Sequence, residues 1–82
     1  MWYIYIIKSQ VTTDYYKGIS EDVYRRLEEH NTGLSNFTKS GIPWVLVYFR
    51  QMESKRDAII EERRIKRLNR RALEKMIGNS AG

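Results

Sequence analysis

Cysteine is missing from this sequence altogether. That removes disulfide staples and thiolate zinc sites from consideration, and it fits a reducing compartment. Membrane-spanning runs are missing too. The N-terminal apolar stretch from Trp2 to Ile7 is stopped by Lys8 and is too short to cross a bilayer. It carries neither a basic leader nor a cleavage site, so it does not read as a signal peptide. The expectation is a cytoplasmic chain with no membrane association. Repeats, flexible linkers and low-complexity tracts are absent as well, and no protein partner is implied.

What is present must build a core from 82 residues, close to the smallest size at which one core suffices. Six tyrosines, two tryptophans and two phenylalanines help, because each buries a large area. Formal net charge is +5, and its placement matters more than its size. Residues 55–75 hold nine Lys/Arg against four Asp/Glu, whereas the rest of the chain balances six against six. The whole excess therefore lies in a C-terminal helical segment. That favours a polyanionic partner, although a solvated basic helix face explains the charge equally well.

The pattern predicts an α+β domain with a small three-stranded antiparallel sheet flanked by helices, in the order β-β-α-β-α-α. Residues 2–7 are β-branched or aromatic on both alternations, the mark of a central strand covered on both faces. Gln10 to Asp14 reads as a turn and Tyr15 to Ile19 as the return strand of a hairpin. A glycine inside that strand, Gly18, marks a close approach, for which a ligand backbone is one candidate. Ser20 is read as the N-cap of a helix carrying Glu21 and Asp22 in its first turn and ending near Gly33. A polar loop from Leu34 to Gly41 leads past Pro43 into a third strand, Trp44 to Phe49. Ser54 caps a helix running to about Leu68, and Asn69 opens a last helix ending at Gly78. The domain is expected to span residues 1–78, with 79–82 a frayed tail.

In the first helix Val23, Leu27 and Tyr24 form the apolar stripe, with Arg26 and His30 along its edge. Alone, His30 reads as a hydrogen-bonded rim histidine. On the second helix Ala58, Ile59 and Ile65 define the inward face; Glu62 falls near its centre and Glu61 well off it. A carboxylate aimed inward needs a cation, a donor or a metal. Pattern alone leaves open an ion pair with Arg26 or a metal ligand. Tyr3 and Tyr5 share one strand face with Tyr16 opposite, an arrangement that also serves as ordinary core filling.

Taken together these residues are more specific. Tyr3-Ile4-Tyr5, then Tyr16-Lys17-Gly18, an arginine eight residues past the glycine, a histidine four further on and a glutamate on a later helix resemble the GIY-YIG nuclease family. The likeness is to its small stand-alone bacterial members and covers Trp2 to Ile77. It implies catalytic roles for Tyr5, Tyr16, Arg26, His30 and Glu62, with Glu62 binding Mg²⁺ or Mn²⁺. Thr38 and the pair Ile65-Lys66 match further family positions. Tyr3 and Lys17 depart from it, standing where the motifs have glycine and isoleucine. Ile19 stands where the repair branch has an active-site lysine, so that lysine does not carry over.

The resemblance implies a metal-dependent endonuclease acting on DNA, in repair or recombination. The alternative is a nucleic-acid-binding module on the same fold with weak or no catalysis. Residues expected against the nucleic acid are Lys17, Gly18, Thr38, Lys39, Arg63, Lys66, Arg67 and Arg70. Hydrolysis of a phosphodiester needs an activated water and charge stabilisation on the phosphate. An arginine can fork onto the non-bridging oxygens. A tyrosine, with a usual pKa of about 10, becomes a usable base beside a metal and an arginine, which favour its phenolate. Both Tyr16 and Tyr5 are candidates, with Tyr16 preferred.

Overall fold

The computed structural model describes residues 1–80, except the side chain of Ser80. Strand β1 (Trp2–Ser9) lies between β2 (Tyr15–Ser20) and β3 (Trp44–Met52) in an antiparallel sheet of order β2-β1-β3. Helix α1 (Val23–Asn31) follows β2, while α2 (Lys55–Lys66) and α3 (Arg70–Ser80) follow β3. A single 3-10 turn, Lys39–Gly41, interrupts the loop before β3. This is the β-β-α-β-α-α order that the sequence predicts.

Because β1 is central and apolar on both alternations, it serves two half-cores. Ile4 and Ile6 point to one face, where Ile65 of α2 and Leu73 of α3 close over them. Tyr5 and Ile7 point to the other, covered by Val23 and Leu27 of α1 and by Trp44. A register shift between Ile6 and Ile7 leaves Val47 without a partner on β1. Leu46 and Phe49 are three residues apart, so regular alternation would send them to opposite faces. The bulge returns both to the Tyr5 side, Leu46 against Ile7 and Phe49 against Tyr5.

Several boundaries differ from expectation. Ser20 is not the helix cap. It pairs with Tyr3 as the last residue of β2, and its hydroxyl takes the Asp22 N–H at 3.0 Å. Asp22 caps α1 instead, accepting from the Arg25 N–H at 3.0 Å, so the first turn of the helix has no acidic residue. The last helix continues through Asn79 and Ser80 rather than ending at Gly78, and the rest of the expected tail lies outside the described residues. Ser54 and Asn69 do cap α2 and α3, accepting from Asp57 N and Ala72 N at 3.1 and 2.8 Å.

Gly18 pairs with Tyr5 across the hairpin, and the close approach it permits is made by Tyr5's own ring rather than by a ligand. A Cβ at position 18 would lie 2.6 Å from the Tyr5 hydroxyl oxygen and 2.8 Å from Cζ. Tyr5 is buried and tethered, so it has little room to yield. Gly18→Ala is expected to destabilise the fold by roughly 1–3 kcal/mol, the usual cost of overpacking. Denaturant unfolding of the variant checks this, and wild-type stability would show that the Tyr5 ring is free to shift.

Candidate active site

The site grows out of the inward stripe of α1. At about 100° per residue, positions 23, 27 and 30 fall on one line, so His30 belongs to the stripe and not to its rim. It is fully buried, and Arg26 takes the edge position. Tyr24, expected in the stripe, is 68% exposed.

Burying an imidazole requires partners for both nitrogens, and both are present. Nε2 meets the Tyr5 hydroxyl at 2.9 Å, and Nδ1 meets the Thr38 hydroxyl at 2.7 Å. The Thr38 hydroxyl donates onward to the Ser35 carbonyl at 3.5 Å, so it accepts from Nδ1–H and leaves Nε2 to accept from Tyr5. Burial lowers the His30 pKa, with the Arg26 charge acting the same way and Glu29 opposing. The neutral ring is therefore the form this network selects.

Tyr5 is governed by the same burial. Desolvation pushes its pKa up to about 12, with Tyr16 and Glu62 adding to the rise and Arg26 pulling against it. The arginine thus stands close to the Tyr5 hydroxyl, as the family pattern implies, but burial outweighs its charge. The phenolate expected beside an arginine is not favoured at Tyr5. Tyr16 differs. Its ring packs edge-on against His30 at 4.9 Å and lies 6.4 Å from that of Tyr5, yet the residue is only half-buried. Among the described residues its hydroxyl takes no hydrogen bond.

Neither glutamate of α2 behaves as its helical angle implies. Ile59 is only partly buried, so the inward direction runs through Ala58 and Ile65, and Glu61 and Glu62 flank it on either side. The Glu61 side chain is 12% exposed and that of Glu62 is 19% exposed. Glu61 binds Arg64 through both oxygens, at 2.7 and 2.8 Å, and sits 3.6 Å from Arg50. Arg50 reaches it because β3 runs on to Met52, past the expected end at Phe49. Glu62 is held only by Lys66 at 3.5 Å, and Arg26 pairs with Glu29 at 2.9 Å. An ion pair between Glu62 and Arg26 is not formed.

Among the described residues no three His, Asp or Glu side chains gather as a metal cage. One partly exposed carboxylate does fit Mg²⁺, which takes one or two protein carboxylates and completes its shell with water and phosphate oxygens. Of the residues expected against a nucleic acid, Gly18 and Thr38 are covered. Gly18 lies under the Tyr5 ring, and Thr38, 1% exposed, is occupied by His30. Lys39, Arg63, Lys66, Arg67 and Arg70 are exposed, and Lys17 is half-buried. Two residues that support the site escape sequence reasoning. Asn31 clamps the start of β3, donating to the Trp44 carbonyl at 2.9 Å and accepting its N–H at 2.6 Å. The Trp44 indole donates to the Thr38 carbonyl at 2.8 Å, fixing the loop that carries Thr38. An asparagine in a last helical turn was the visible signal for the first; nothing local marked the second.

The fold and this cluster are those of a small nuclease-type catalytic domain, and comparison with known proteins agrees. The family model described as the GIY-YIG catalytic domain matches residues 1–76, so the chain belongs to the GIY-YIG family, whose members are generally nucleases and act on nucleic acid. Within it, similar proteins carry the name UPF0213. One from Pseudomonas aeruginosa is 36% identical over 93% of this chain and 73% of its own length. Another, from Halobacterium salinarum, is 38% identical over 85% and 91%. The solution NMR structure of a UPF0213 protein from Bacillus halodurans superposes with a TM-score of 0.64 at 31% identity, covering all of this chain and 88% of the other. No helix among the described residues is long and apolar enough to cross a membrane.

The buried histidine makes stability depend on pH with a definite sign. Its folded pKa lies below the unfolded value of about 6.5, so the folded state binds fewer protons. The contribution is fully present above about pH 6.5 and is lost as pH falls toward the folded pKa. His30 is the sole histidine, so this window is its own. Melting temperature should stay level from pH 8 to about 6.5 and then drop. His30→Asn should flatten that drop, and a level wild-type profile down to pH 5 would contradict the neutral buried ring.

Proposed function

We propose that this protein is a metal-dependent endonuclease that hydrolyses phosphodiester bonds in DNA. The observation that supports this most is the gathering of Tyr16, Arg26 and His30 about the buried Tyr5 hydroxyl, with Glu62 of α2 near enough for its charge to act on that group. Core packing accounts for Tyr5 and His30. It accounts for the ring of Tyr16 but not for its unbonded hydroxyl, nor for the partly exposed Arg26 and Glu62.

In this reading Tyr16, once deprotonated, takes the proton of the attacking water, since Tyr5 keeps its own proton and donates it in a hydrogen bond to His30. Arg26, at the edge of the cluster, forks onto the non-bridging oxygens as negative charge builds on phosphorus. Tyr5 and His30 position Tyr16 by packing and are not spent in proton transfer. Glu62 would hold a Mg²⁺ or Mn²⁺ ion, which when bound supplies Lewis acidity toward the phosphate oxygens. The basic excess on α2 and α3, with Arg63 and Arg67 exposed, suits a DNA backbone.

Removing single hydroxyls separates the two tyrosines. Tyr16→Phe should lower cleavage roughly 10²–10⁴-fold, the loss typical of an absent general base, at nearly unchanged stability. Tyr5→Phe leaves His30 Nε2 buried without a donor and should cost about 1–3 kcal/mol of stability. Cleavage assays paired with melting curves distinguish them; wild-type turnover by Tyr16→Phe would remove it as the base.

Glutamine substitution separates the two carboxylates in the same way. Glu62→Gln should reduce Mn²⁺ affinity and cleavage together while barely moving the melting temperature, because its partner Lys66 is exposed and lies 3.5 Å away. Glu61→Gln should do the reverse, weakening the fold by about 1 kcal/mol at unchanged metal affinity. Titration of Mn²⁺ into both variants decides it. Equal metal binding by Glu62→Gln and wild type would overturn the assignment.

A further inference from the structure

A cleft of about 400 Å³ opens along the free edge of β2, between the loop after α1 and the junction of α2 with α3. Tyr16, Phe37, Trp44 and Leu73 supply its apolar lining, and Lys17 and Arg70 bring positive charge against the single carboxylate of Asp14. Phe37 is the anomaly. At 87% exposure it is the most open large apolar side chain in the described structure, and the core makes no use of it. Its ring nevertheless lies 6.3 Å from that of Tyr16, facing the cleft that both line.

An open aromatic platform, with cationic groups across the edge of β2 from it, suits a flat ring that carries an anion, which is the chemistry of a nucleotide. Size narrows the class: this volume takes one nucleotide and cannot enclose a base pair stacked in a duplex. The positive rim is already set. The Arg70 guanidinium stacks over Tyr15 at 5.1 Å and donates to the Thr13 carbonyl at 2.9 Å. It also lies 3.4 Å from Glu74, yet the side chain stays 50% exposed. Tyr16 belongs to both places, packing on His30 in the candidate active site and lining this cleft. A base lodged here leaves its phosphodiester beside that tyrosine.

We propose that the cleft is a nucleobase subsite that takes one unpaired nucleotide of the substrate strand, its base on Phe37 and its phosphates toward Lys17 and Arg70. This rests on the reading of the Tyr16 cluster as a nucleic-acid-cleaving site, and adds that the strand is unpaired where it is cut.

The test measures binding of labelled oligodeoxynucleotides by fluorescence anisotropy in EDTA, where nothing is cut. Three probes are compared: a short mixed-sequence single strand, its full duplex, and the duplex with one bulged nucleotide. Wild type should prefer the probes that offer an unpaired nucleotide. A response to both locates the ligand in any unpaired nucleotide, and a response to the bulge alone locates it in distorted duplex. Phe37→Ala should weaken those preferred probes roughly 5- to 100-fold, the loss of one stacked base, and erase their advantage over duplex. Leu34→Ala, at another open loop position outside the cleft, should change neither. Single-strand binding by Phe37→Ala at wild-type strength, or an equal loss on duplex, would overturn the subsite. The two readings fail separately. A wild-type protein that binds no nucleic acid removes the endonuclease reading as well, whereas intact cleavage with unaltered Phe37→Ala binding removes the subsite alone.

Discussion

A buried hydrogen bond from the Tyr5 hydroxyl to His30 Nε2 joins the central strand to the helix that covers it, and much else in the molecule follows from it. Both residues lie in an apolar layer, where an unpaired polar atom costs about 1–3 kcal/mol. Each remaining polar atom must then be met in turn. Nδ1 needs Thr38, Thr38 needs a fixed loop, and the loop is fixed by Trp44 and Asn31. Among the described residues no buried side-chain nitrogen or oxygen is left unsatisfied. So a loop with a single 3-10 turn is tied down at Thr38 through both its hydroxyl and its carbonyl, and the glycine of β2 is required for the Tyr5 ring to reach its partner.

The same bond divides labour between the two motif tyrosines. A pair of phenols on neighbouring strands looks symmetric by type and face. Burial breaks the symmetry, because the tyrosine that serves His30 holds its proton more tightly and is closed to solvent. Tyr16 sits one strand out, on the sheet edge, where its ring completes the aromatic cluster and its hydroxyl takes no hydrogen bond among the described residues. In the proposed reaction the inner residue supplies position and the outer one supplies chemistry. The arginine at the helix rim is engaged by Glu29 and stands by the Tyr5 hydroxyl, on the inner side of that boundary.

Those features that repeat along the chain were legible in the sequence. The apolar alternation of residues 2–7, the Ser54 and Asn69 caps and the Gly33 helix end rest on local rules, and the elements stand where those rules put them. What depended on partners was not. His30 shares the i, i+4, i+7 line with Val23 and Leu27, but a polar residue on that line reads as a rim until its two partners are known. Ser20 has a capping side chain and a place in the sheet ladder, and the ladder won because Tyr3 stood opposite. The ranking of Glu61 and Glu62 turned on Ile59 being half-buried and on β3 extending far enough to deliver Arg50. Nothing local to Gly18 or Thr38 tells that a tyrosine and a histidine occupy them, rather than a ligand.

Charge and geometry have separate tasks in such a site. Much of the basic excess on α2 and α3 is engaged locally: Arg64 by Glu61, Lys66 by Glu62, Arg70 by Glu74. These pairs orient side chains without cancelling the net +5, which still acts at a distance on a polyanion. A field of that kind attracts every phosphate backbone alike and selects no position on it. In the proposed reaction, choice of the bond to be cut must come from parts with a defined shape. Here those parts are the network behind Tyr5 and the narrow cleft that shares Tyr16 with it. On the proposed reading the fold keeps its non-selective attraction on exposed helices and its selective contacts at a sheet edge, joined through one tyrosine common to both.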